Sequence, residues 1–141
     1  MLKTGLVQGR ASILLFALIV LTGCGQQKLS KDDLRISTGD IRTFAAATSL
    51  LAEEQIAGKL TNTFFASQAE ILEDRVHTAK LDLDSPGGDL EYKRTEAVEI
   101  ASHLEEKLSQ MVSGEVSLEK ELYLSSLANE AKSLEDSLKD E

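Results

Sequence analysis

From Ile41 onward the apolar residues return every three or four positions, and that period admits one kind of backbone. Ile41, Phe44, Thr48 and Leu51 share a face at helical spacing, and so do Phe65, Ala69, Leu72, Val76, Ala79 and Leu83. No stretch shows the β-branched alternation that a half-buried strand needs. One proline and nine glycines in 141 residues leave few places to stop a helix. The expected fold is all-α, a small antiparallel helical bundle or hairpin.

The helix count turns on the segment between the two stripes. There the register meets Gln55, Gly58 and Asn62, while the apolar side moves to Ile56, Leu60 and Phe64. A single glycine costs only about 1 kcal/mol inside a helix, which favours one long bent helix over 40–83. A break at Gly58, with Thr61 or Asn62 capping the next helix, gives four helices instead of three. "DSPGGD" at 84–89 is a clear stop, with Asp89 placed to cap the next helix. The helix expected over 90–112 buries Leu90, Ala97, Ala101, Leu104, Leu108 and Met111, with Val98, Ile100 and Val112 widening the stripe. After "SG" at 113–114, a last helix turns Leu118, Leu122, Leu124, Leu127, Ala131, Leu134 and Leu138 inward. Glu135 and Lys139 stand one turn apart on its outside.

Residues 11–21 carry no charge and follow Lys3 and Arg10, the layout of an export signal. The run is short of the roughly 20 apolar residues that a membrane span needs. It leads into "LTGC" at 21–24, which holds the chain's one cysteine. This tetrapeptide resembles the lipobox of bacterial lipoproteins, an aliphatic residue, a small residue, Gly or Ala, and then cysteine. The resemblance covers residues 1–24. It implies that Leu21, Thr22 and Gly23 are recognised for cleavage and that the thiol of Cys24 receives a diacylglyceryl group. The chain is then cut before Cys24 and the new amino group acylated. The implied organisation is a signal peptide over 1–23, a lipidated cysteine with a polar tether over 24–39, and an acidic helical domain over 40–141. In Gram-negative lipoproteins, Asp directly after the cysteine commonly marks retention in the inner membrane, whereas Gly25 and Gln26 follow it here. The resemblance therefore implies the periplasmic face of the outer membrane in such a host, and the single membrane in a Gram-positive one.

Charge explains why an anchor is needed. All acidic residues lie after Cys24, so the chain from there on carries 13 basic against 24 acidic side chains, a net charge of −11. An anionic lipid surface repels such a body, and so does nucleic acid. Each buried methylene contributes about 0.8 kcal/mol, so two long acyl chains outweigh the repulsion.

A single cysteine excludes an intrachain disulfide and a cysteine-based metal site. Asp74 with His77, and Glu99 with His103, have spacings close to those of carboxylate-bridged metal bundles. A hairpin turning near Pro86 sets His77 opposite residue 95, which leaves His103 roughly 12 Å further along at about 1.5 Å per residue. Neither histidine falls on an apolar stripe. "SPGGD" lacks the lysine of a phosphate loop. No catalytic residue, cofactor or metal is expected. The expected function is that of a lipid-anchored, non-catalytic interaction or structural module with an unidentified envelope protein as partner. The alternatives are a small-ligand carrier or enzyme with a pocket between helices, and a coiled-coil homo-oligomer.

Overall fold

Ser30 opens the first helix of the computed structural model, which describes residues 27–114 and 116–140. Its hydroxyl accepts the Asp33 N–H at 3.1 Å, satisfying one of the donors that a helix start leaves unpaired. Helix α1 spans Lys31–Ile56 and α2 spans Asn62–Leu81. A short 3₁₀ turn, Gly88–Leu90, leads into α3, Glu91–Ser113, and α4 spans Leu118–Lys139. The fold is all-α, with no strand among the described residues.

The four helices run alternately up and down. α1 packs most extensively on α4 and α2 on α3, while α1 with α2 and α3 with α4 complete the ring. Short connections force this arrangement, because neighbouring helices must fold back side by side. One end of the bundle, the near end, gathers the start of α1, the 82–90 connection and the end of α4. Leu29 N–H donates to the Pro86 carbonyl there at 2.9 Å. The opposite, far end carries the 57–61 and 114–117 connections.

The core follows the expected stripes closely on α2 and α3. Phe65, Ala69, Val76, Ala79 and Leu83 are buried, as are Ala97, Ile100, Ala101, Leu104, Leu108 and Met111. Leu72, Val98 and Leu90 pack against this core from partly exposed positions.

Several expectations need correction. The single bent helix over 40–83 is two helices. Gly58 takes φ +69°, a left-handed conformation that ends α1, and the Thr61 hydroxyl accepts the Phe64 N–H at 3.2 Å to start α2. The tether expected over 24–39 is mostly bundle, since Leu29, Leu34, Ser37 and Thr38 are buried and α1 begins at Lys31. Thr38 Oγ1 donates to the Leu34 carbonyl at 2.7 Å and Thr48 Oγ1 to that of Phe44 at 2.8 Å, so each buried hydroxyl keeps a partner. On α4, Leu118 and Leu122 are exposed instead of inward. The buried series 124, 127, 131, 134, 138 advances by threes and fours, and the two-residue step from 122 to 124 places Leu122 on the far side of the helix. Glu135, expected outside, is buried beside Gly39 of α1.

Asp89 does not cap α3. Glu91 reaches back instead: its Oε2 accepts the Gly87 N–H at 2.8 Å, while Arg94 bonds the same carboxylate and donates from Nη1 to the Leu83 carbonyl at 2.9 Å. Arg94 thereby pins the end of α2 to the start of α3. Its cation and the Gly87 N–H hold the Glu91 carboxyl below its ordinary value of 4.5.

Candidate functional site

Gln55 sits one turn beyond Leu51 and Ala52 on the buried face of α1, where an apolar side chain would continue the stripe. Its Nε2 donates to Asn62 Oδ1 at 2.9 Å, tying the last turn of α1 to the first residue of α2. Its Oε1 is shielded from solvent and meets no hydrogen-bond donor among the described residues. A buried acceptor left in this way costs about 1–3 kcal/mol, which makes Gln55 a place to look for a ligand.

A half-open cleft of about 680 Å³ lies beside it at the far end. Gln55 and Ile56 of α1, Asn62 and Phe65 of α2, and Met111 and Val112 of α3 form its walls. Gly114 and Val116 close one side from the 114–117 connection. The cleft lies where both connections turn, and the stripe supplies Gln55 and Asn62 there in place of large apolar side chains. Ile56 and Val112 remain partly exposed on its rim, with Phe64 exposed in the first turn of α2 at the same end. Nearby, Lys59 pairs with Glu54 at 2.8 Å, and that carboxylate holds its ammonium above the ordinary 10.5. Chemically, the cleft offers a largely polar surface into which Ile56, Phe65, Met111 and Val112 set an apolar patch, beside an amide oxygen closed off from solvent.

Leu21, Thr22, Gly23 and Cys24 lie outside the described residues. None of the described helices is long and apolar enough to cross a membrane. The histidines need a different placement from the one expected. His77 Nδ1 lies 3.0 Å from Glu105 Oε1, and Lys80 bonds the other oxygen of that carboxylate. His77 therefore faces residue 105, not 95, because the 82–90 connection lets α3 run further past α2 than a turn centred on Pro86 allows. Two residues on a helix turn a side chain by about 200°, so His103 does not join this cluster. Among the described residues no group of three or more His, Asp or Glu is placed to hold a metal ion.

Gln55 and Asn62 were visible in the sequence as faults in the apolar register. Their role as cleft walls was not, because it depends on the break at Gly58. The heptad-spaced stripes behind the coiled-coil expectation lie inside this chain's own bundle.

No family model matches this chain, no curated protein matches its sequence, and no solved structure matches its fold.

Proposed function

We propose that this chain is a lipid-anchored envelope lipoprotein whose bundle is a non-catalytic protein-interaction module, docking a partner at the far end. One observation carries the reading. Ile56 and Val112 stay partly exposed around a cleft of about 680 Å³ that a core would ordinarily close. Exposed apolar side chains of this kind, set beside a largely polar cleft, are the chemistry of docking sites. The partner places an apolar side chain between Ile56 and Val112. The lipobox resemblance at 21–24 supports attachment through Cys24.

A photo-crosslinking residue at Ile56, expressed in the native envelope, tests the site against the same residue at exposed Glu130 on α4. One specific adduct from position 56 and none from 130 is expected. Equal adducts from both, or none from 56, contradict the docking site. Cys24→Ser tests the anchor: the variant is expected to lose processing, and unchanged processing with membrane retention contradicts it. The small-ligand reading draws on the same cleft, which Gln55 lines. Native mass spectrometry separates the two, because a carrier retains a small-molecule adduct that Gln55→Ala loses.

A further inference from the structure

Where the chain enters the bundle decides which face an anchor at Cys24 presents to the bilayer. Leu29 is buried and its N–H is bonded to Pro86, so the backbone is fixed to the near end from that residue on. Five peptide units separate Leu29 from Cys24, a reach of at most about 18 Å. An anchor at Cys24 would therefore keep the near end within about 18 Å of the headgroups, whereas the 26 residues of α1 carry the far end about 39 Å away.

The near end has the side chains for that position. Ile36 of α1 is 56% exposed, Leu81 at the end of α2 is 51% exposed, and Tyr92 in the first turn of α3 is 79% exposed. These three come from three helices, and none continues a buried stripe. Tyrosine suits the boundary between headgroups and acyl chains, since its ring is apolar and its hydroxyl stays wet. Asp32, Asp82, Asp84 and Asp89 share this end with Lys28, Lys31, Lys93 and Arg94, a near balance of charge that suits a zwitterionic surface.

We propose that the near end of the bundle is a lipid-contacting surface, with Ile36, Leu81 and Tyr92 seated in the headgroup layer of a zwitterionic bilayer and the far-end cleft facing away. The inference rests on the anchor at Cys24 and adds an orientation, since a tether alone leaves the bundle free to lie on its side.

The chain has no tryptophan, so Tyr92→Trp and Tyr123→Trp each install a single reporter, one at the near end and one toward the far end. The chain from residue 24 is coupled through its one thiol to a maleimide lipid in phosphatidylcholine vesicles containing brominated lipid. The Y92W protein is expected to shift to the blue and lose roughly half its emission, because an interfacial side chain sits about 5–10 Å into the boundary that the bromines occupy. The Y123W protein is expected to keep its emission. Adding I36S and L81S to Y92W abolishes the quenching while circular dichroism shows the helices intact. Equal quenching of both reporters, or none in either, overturns the proposal. Coupling is chemical, and native acylation is read separately from the mass of the N-terminal peptide, so failure of the anchor and failure of this face are distinguishable.

Discussion

Glu135 places a carboxylate at a site only 8% exposed, against the backbone of Gly39. Lys139 Nζ lies 2.9 Å from Oε1, and Arg42 Nη1 lies 3.1 Å from Oε2, the latter as an ion pair without hydrogen-bond alignment. Both cations are partly exposed and regain water if the acid is removed. The acid cannot follow them. Glu135→Gln is therefore expected to cost about 1 kcal/mol in urea denaturation, and Arg42→Ala with Lys139→Ala about 3 kcal/mol, since an unpaired buried charge is the worse outcome. The reverse order contradicts this account of the α1–α4 contact. Glu91 gives a pH signature. Its carboxyl is held below 4.5 by Arg94 first and then by the Gly87 N–H. A lowered folded value means that its contribution is present above 4.5 and lost as pH falls through the lower, folded value. The Gly87 amide resonance should titrate with a midpoint under 4.5, and a midpoint above that value contradicts the clasp.

At the scale of elements, Gly58 separates two readings of the break. A Cβ at this position meets nothing within 4 Å, so any penalty is backbone strain and not crowding. Gly58→Ala is expected to cost about 1–2 kcal/mol in thermal or chemical denaturation, the penalty of a left-handed residue with a side chain. No measurable cost indicates that α1 and α2 can run on as one helix. On α4 the register makes a paired prediction: Leu127→Ala costs about 3 kcal/mol as a core truncation, while Leu122→Ala stays within about 0.5 kcal/mol. The sequence made α2 and α3 legible because their faces are filled by apolar side chains at unbroken spacing. The first two turns of α1 were not legible, because Ser37 and Thr38 occupy core positions and look polar until their burial is seen. Leu118 and Leu122 misled for the opposite reason, being apolar residues outside the register. Gln55 and Asn62 drew attention only as faults, and such local conflicts are where functional sites are expected.

Across the whole molecule, the up-down-up-down path brings the entry of the chain, the 82–90 connection and the end of α4 to one end, and leaves the cleft at the other. On the proposed function, helix length sets the working distance, since a partner docked at Ile56 and Val112 would meet the protein about 39 Å from the end nearest an anchor at Cys24. The net charge of −11 from Cys24 onward sets the helical sides against anionic lipid, so the proposed attachment rests on acyl chains at Cys24. Everything about membrane placement depends on that one sulfur atom. The most direct measurement is mass spectrometry of the N-terminal peptide of protein extracted from its native envelope. The account predicts a peptide beginning at Cys24 and carrying a diacylglyceryl group on sulfur. A peptide beginning elsewhere, or an unmodified thiol at position 24, contradicts it.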